Sequence, residues 1–404
     1  MHAEKILARV LGPCLESLHS KRAGALLRAT AALLRGGITS LSAIALSLDG
    51  ATTLKHRLKS VDRLLGNTAL NLERCELYRY VALSWLKGVP QVLMVVDWSD
   101  LTKDQRLQLL RASVVIERRS LTLYEEAHPQ KKLGNATVHR TFLRRLATIL
   151  PPGCRPIVMT DAGFHANWFK MVDEMGWEFI GRVRGRNRLQ FGSEGAWVEA
   201  RDLYARARAQ VRDMGLGYYV RSNPVAMRAV LSRRPKKGRH QFNIYGVKRA
   251  GKASAKNARS AREPWLLASS LGLQHLSAQA IVGLYSQRMR IEQSFRDTKN
   301  LRLGLGLEAA RSRSAKRMEI LLLLTHLASF VQRLIGESAK QHQFALQFMA
   351  KRRSTRPEIS TLTLARRILN APSSYLSQLL PWRAIQPLTT QAAHACVTNP
   401  SYPS

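Results

Sequence analysis

Two short apolar runs, each followed closely by an aspartate, limit what this chain can fold into. Residues 92–96 lead straight into Asp97, and residues 157–159 lead into Thr160-Asp161-Ala162-Gly163. Continuous apolar runs of this kind read as strands buried on both faces. Each therefore carries a carboxylate out of the core at the carboxyl end of a strand. Between them, residues 107–116 and 120–126 flank Glu117-Arg118-Arg119 as a hairpin, and 135–150 is an amphipathic helix stopped by Pro151-Pro152-Gly153. A helix over 166–175 ends at Gly176, and a strand over 177–183 follows.

The order strand, hairpin, helix, strand, helix, strand predicts an α/β fold with a ribonuclease-H-like catalytic core, a mixed sheet with helices on both faces. Ligand-binding groups of such sheets gather at strand carboxyl ends. If the two strands are neighbours, Asp97 and Asp161 meet there.

A third acid stands in the stretch 285–299, YSQRMRIEQSFRDTK, which has no Gly or Pro and reads as one helix. At about 100° per residue, Tyr285, Arg288, Glu292, Arg296 and Lys299 share a face, while Leu284, Ile291 and Phe295 form an adjacent apolar stripe. Glu292 is thus a lone acid in a row of cations and one phenol, an arrangement suited to a carboxylate that holds a metal while its neighbours hold phosphates.

Charge narrows the partner. The 404 residues hold 64 Lys+Arg against 27 Asp+Glu, a formal net charge of +37. An excess this large, spread along the chain, points to a polyanion, and nucleic acid in particular. The alternative is a protein that is simply basic. Cys14, Cys75, Cys154 and Cys396 form no CxxC pair, and so neither a zinc site nor a disulfide framework. They fit a reducing, cytoplasmic and nucleoid-associated setting. No signal peptide is read, and the apolar run near 320–335, interrupted by His326, Gln332 and Arg333, reads as a buried helix rather than a membrane span.

Five regions are expected. Residues 1–86 form a helical DNA-binding domain. Two short helices around Asp49-Gly50 fit a helix-turn-helix whose second helix offers Lys55, Arg57 and Lys59 to the major groove; a bundle with a solvated basic face is the other reading. Residues 87–184 and 264–335 are the two parts of the core. Residues 185–263 are an inserted β-rich subdomain whose later part reads as a basic loop that orders on DNA. Residues 336–404 are a C-terminal helical region, with no role assigned to the tail after 371.

Asp97, Asp161 and Glu292 would suffice for two Mg²⁺ ions, which take hard oxygen ligands and few carboxylates; Mn²⁺ can substitute. Each residue has an ordinary alternative. Asp97 and Asp161 can cap or shape the following turn, Asp100 can rival Asp97 as a ligand, Glu292 can pair with Arg288 or Arg296, and Trp265 can be a core residue.

Tyr285-x2-Arg288-x3-Glu292-x6-Lys299, with the contexts VVDWSDL and TDAGF, resembles the Y-R-E-K signature and acid motifs of a large family of bacterial insertion-sequence DDE transposases. Segments such as VDRLLGN, LRAS, RVRG and RMRIEQSFRD make the likeness greatest to the branch that includes the cut-and-paste transposase of the tetracycline-resistance composite transposon. The resemblance spans residues 10–335. It implies that Asp97, Asp161 and Glu292 are the catalytic triad. Arg288, Arg296, Lys299 and Tyr285 would then grip DNA, and Trp265 would stack on a flipped base. The implied reaction binds terminal inverted repeats, cuts with water, makes and reopens a hairpin, and joins 3′-hydroxyl ends to target DNA. The implied partners are double-stranded end and target DNA, a second copy in a homodimeric synaptic complex, and a host DNA-bending protein, with no membrane. A ribonuclease-H-like nuclease without strand transfer, and a catalytically idle DNA-binding descendant, are the rival functions.

Overall fold

The computed structural model describes residues 3–117, 119–192, 194–233, 251, 263–302, 304–349 and 359–397. The chain divides into two compact units. The first joins Met1–Cys154 to Met289–Val397, and the second spans Arg155–Arg288.

The first unit opens with helices α1 (Ala3–Glu16), α2 (Ser20–Gly36), α3 (Leu41–Leu46), α4 (Leu54–Leu65) and α5 (Thr68–Leu86). Side chains start three of them: His19 accepts the Lys21 amide, Ser40 the Ala43 amide and Asn67 the Leu70 amide, satisfying donors that a first turn leaves unpaired. α3 and α4 pack on each other around Asp49-Gly50, as the sequence reading of two short helices requires.

Strands β1 (Gln91–Asp100), β2 (Leu107–Ile116) and β3 (Arg119–Pro129) then form an antiparallel meander in the order β3-β2-β1, followed by α6 (Ala136–Ile149). One detail departs from expectation. β1 does not stop at Asp97, because Trp98, Ser99 and Asp100 keep pairing with Leu110, Leu109 and Gln108. The partner strand is long enough to satisfy their backbone groups, so polarity of the side chains does not end the ladder.

The second unit contains β4 (Arg155–Thr160), α7 (Ala166–Asp173), β5 (Glu178–Val183), β6 (Arg188–Phe191), β7 (Val198–Glu199), β8 (Arg212–Tyr219), β9 (Val225–Ser232), β10 (Trp265–Ser269) and α8 (Ala278–Ser286). Its strands run β4-β5-β10-β9-β8-β6-β7, parallel at β4–β5 and antiparallel elsewhere, so the sheet is mixed. β9 pairs with β10, and the strands between residues 188 and 232 continue the sheet instead of forming a separate one. The basic loop expected after them falls, apart from Gly251, outside the described residues up to 262. Gly181 on β5 is required by packing: a Cβ there would overlap the Phe169 ring of α7, which stacks on Phe179 at 4.8 Å.

Back in the first unit come α9 (Arg290–Lys299), α10 (Ala315–Gln341), α11 (Thr361–Leu369), α12 (Ser373–Ser377) and α13 (Ile385–Val397). The apolar window of α10 is long enough to cross a membrane, but 94% of it is buried inside the protein, so α10 is a core helix. Gly336 lets α11 approach closely, since a Cβ there would meet the Thr361 carbonyl. α13 covers β1 and β2, and α10 packs on β3.

The stretch 285–299 is therefore not one uninterrupted α-helix. A three-residue 3-10 turn, Gln287–Met289, separates α8 from α9, and the Gln287 amide bonds back to the Leu284 carbonyl. Tyr285 and Gln287 are both buried. Two positions apart, they would lie about 160° from each other around an α-helix but about 120° apart in the tighter turn, which brings both inside.

Candidate active site

In the first unit the candidate site is built from β1 and α9. Asp97 is 8% exposed and its Oδ1 accepts the Trp98 amide at 2.9 Å. Directly opposite it in the β1–β2 register is Arg111, a cation in the middle of a strand whose ten residues are all buried. A buried guanidinium must find partners, and Arg111 finds four contacts. Nε and Nη2 reach Glu125 Oε2 at 2.7 and 2.6 Å, Nη1 reaches Ser294 Oγ at 3.1 Å, and Nη2 reaches Thr298 Oγ1 at 3.0 Å. Glu125 comes from β3, while Ser294 and Thr298 are one turn apart on α9. Arg111 thus fastens α9 to the meander from beneath.

Further ties lie on the same side of the helix. Arg290 donates to the Ile116 carbonyl at 2.6 Å, the Ser120 hydroxyl donates to the Arg290 carbonyl at 3.3 Å, and Arg119 pairs with Asp297 at 3.3 Å. The opposite side of α9 is left to solvent, where Glu292 and Arg296 are exposed. Among the described residues Glu292 forms no ion pair within 4.0 Å, so the expected alternative, a salt bridge within the helix, is not formed. At the end of α9, Lys299 donates to Ser99 Oγ at 2.6 Å and to the Asp100 carbonyl, both on β1. Burial first, and Arg111 second, push the Lys299 ammonium down to about 8, against the pull of Asp100, Glu292 and Asp97. Asp97, Glu292 and Lys299 therefore share one electrostatic neighbourhood. Asp100, the rival to Asp97, is exposed and accepts one hydrogen bond on each oxygen, from Gln105 and Gln108 at 3.0 Å each.

In the second unit, Asp161 follows β4 and is half-buried. Its Oδ1 accepts the Gly163 amide at 2.8 Å, so it also shapes the turn into α7. Trp265 opens β10, half-buried, with its ring edge-on to Tyr285 at 4.9 Å and 88°. Tyr285 is only 2% exposed, which makes it a support for Trp265. Arg288 is half-buried. In the N-terminal helices Lys55 and Lys59 are exposed on α4, whereas Arg57 is half-buried and donates to the Gly50 carbonyl.

The donor set suits a hard divalent cation, which takes carboxylate oxygen: Asp97 and Glu292 lie in the first unit, and Asp161 in the second. Among the described residues no three His, Cys, Asp or Glu side chains are gathered closely enough to count as a preformed metal cluster. Sequence reading missed Arg111, Glu125, Ser294 and Thr298. The signal was present: an arginine inside LQLLRASVVI, otherwise a core strand, demands a buried acid and polar neighbours.

No curated protein matches the chain. The family model described as the transposase DDE domain matches residues 90–330, from the start of β1 to within α10. That span is more than half of the 404 residues and contains every acid and every α9 residue described above. Transposases of this kind act on DNA and generally use divalent metal ions. The chain belongs to the family of DDE-domain transposases.

Proposed function

We propose that this transposase moves an insertion sequence by cut-and-paste, with Asp97, Asp161 and Glu292 as its catalytic carboxylates and Mg²⁺ as its metal. The observation that carries the reading is Glu292: exposed, without an ion pair among the described residues, on a helix whose other side is locked down by Arg111. A carboxylate left exposed on a helix fastened from its other side supports the reading that Glu292 serves the reaction rather than the fold.

The three carboxylates would hold the metal. When bound, it would activate the attacking oxygen and stabilise the leaving one at a phosphodiester. Positioning and charge neutralisation fall to the chain. Arg296 stands one turn after Glu292 on the exposed side of α9, where it would take a DNA phosphate. Lys299, tied to Ser99 and Asp100, would present its ammonium to a second phosphate, and Arg288 to a third. Trp265, propped by Tyr285, offers a half-buried ring for stacking on an extruded base. Lys55, Arg57 and Lys59 of α4 would read the terminal inverted repeat, with Arg57 also bracing the turn before the helix. The sequence of steps would be hydrolysis at the transposon end, attack of the freed 3′-hydroxyl on the opposite strand to give a hairpin, reopening, and joining to target DNA within a synaptic dimer.

The test is incubation of the full chain with a duplex carrying the element's own end, a target plasmid, and Mg²⁺ or Mn²⁺. Hairpin ends followed by plasmid-joined product are expected. Nicked ends without joining would make the protein a nuclease, and end binding without any cut would make it an idle DNA-binding descendant; both overturn the proposal.

A further inference from the structure

Residues 182–188 read Arg-Val-Arg-Gly-Arg-Asn-Arg, four arginines at alternate positions leading from β5 into β6. The structure treats them unequally. The first two share one carboxylate, Glu263, which Arg184 meets at 2.5 Å and Arg182 at 3.8 Å. Arg186 and Arg188 are exposed, and among the described residues neither has an ion pair or a side-chain hydrogen bond. The same holds for Arg221, in the turn between β8 and β9. The three lie around one open concavity of about 540 Å³, completed by Asn187, Val220 and Ser222. Asn187 is held in place by its side-chain bond to the Arg184 carbonyl at 2.8 Å, and Val220 donates its amide to the Arg188 carbonyl at 2.9 Å.

Val220 is the second observation. Its φ is +65°, a left-handed conformation that a β-branched residue adopts only at a cost. The turn holds this conformation through the bond from the Val220 amide to the Arg188 carbonyl. Arg221 and Ser222, which follow Val220, line the same concavity as Arg186 and Arg188. Three guanidiniums without an ion pair among the described residues repel one another, and the arrangement gains most when an anion with several charges enters. The concavity is open to solvent, as suits a continuous backbone. The hydroxyl of Ser222 and the amide of Asn187 add neutral donors for phosphate oxygens.

We infer that Arg186, Arg188 and Arg221, with Asn187 and Ser222, form a phosphate-backbone docking site for duplex DNA in the second unit, made of residues other than the carboxylates and those of α4. The inference rests on the transposase reading and adds a contact that is independent of base sequence. It predicts that the site grips any duplex, and that its contribution appears in the salt dependence of binding.

The experiment compares the full chain with two triple variants. In one, Arg186, Arg188 and Arg221 are each changed to Ala; in the other, each is changed to Lys. Binding to an unrelated duplex is measured over a salt series. Each phosphate contact contributes about 0.9 to the slope of log affinity against log salt. The Ala variant should lose roughly 2 to 3 from that slope, and the Lys variant should keep most of it. An unchanged slope in the Ala variant overturns the site. So does a Lys variant that falls as far as the Ala variant, since loss of fold rather than of charge would then be the cause. Cleavage of the element's own end by the unaltered chain, measured in parallel, reports on the transposase reading alone, so the two ideas fail separately.

Discussion

Arg111 and Glu125 meet at 2.6 Å across neighbouring strands, each with its side chain 1% exposed. The pair is the floor on which the helix carrying Glu292 rests, because the same guanidinium holds Ser294 and Thr298. Burying two charges is costly, and truncating one partner leaves the other uncompensated, at about 3–5 kcal/mol. Arg111→Ala is therefore expected to lower stability by that amount in denaturant melts. Arg111→Met combined with Glu125→Leu should recover much of the loss while still cutting poorly, since α9 has lost its hydrogen bonds. A double variant that regains both stability and cleavage would show that Arg111 is structural only.

A second buried acid gives the fold a pH signature. Glu126 is buried, which alone would raise its pKa, but hydrogen bonds from His128 and Arg145, at 2.8 and 2.7 Å, prevail and hold it down to about 2 from an ordinary 4.5. A lowered folded pKa means stability that is fully present above about 4.5 and is lost as pH falls toward about 2. Glu126→Gln should lose stability near neutrality, and its deficit relative to the unaltered chain should shrink between about pH 5 and pH 3. A deficit constant across that range would rule out the linkage.

Lys299 is placed to test the phosphate clamp. Its Nζ donates to Ser99 Oγ at 2.6 Å and to the Asp100 carbonyl, so its removal takes away both hydrogen bonds together with the charge. Lys299→Ala should reduce the salt slope of end-DNA binding by about 1 and weaken cleavage more steeply at high salt. Equal slopes for both proteins would remove Lys299 from the DNA contact set.

Much of this architecture was legible in the residues, and what was not has physical causes. Apolar runs and their punctuation located β2 and α6 closely, because continuous burial or helical periodicity leaves few alternatives. The end of β1 was misplaced because a ladder is sustained by its partner's backbone, which side-chain polarity does not report. The split at Gln287–Met289 was missed because a 3-10 turn is selected by tertiary burial of Tyr285 and Gln287, not by local propensity. At the site, Glu292 and Lys299 could be picked from spacing, but Arg111 joins residues separated by up to 187 positions, and only the fold brings those together. Tyr285 reads as a DNA-facing phenol from its helical face; in the fold it is 2% exposed with its ring edge-on to Trp265, a burial that side-chain spacing does not report.

The most direct measurement is metal-dependent cleavage of the element's own end by the full chain and by Glu292→Gln, with end binding followed in the same samples. The substitution keeps size and hydrogen bonding but removes the charge of an exposed side chain, so folding and binding should persist. The account predicts a bound, uncut end with Glu292→Gln and a cut, hairpinned end with the unaltered chain. Cutting by Glu292→Gln at a comparable rate would contradict it.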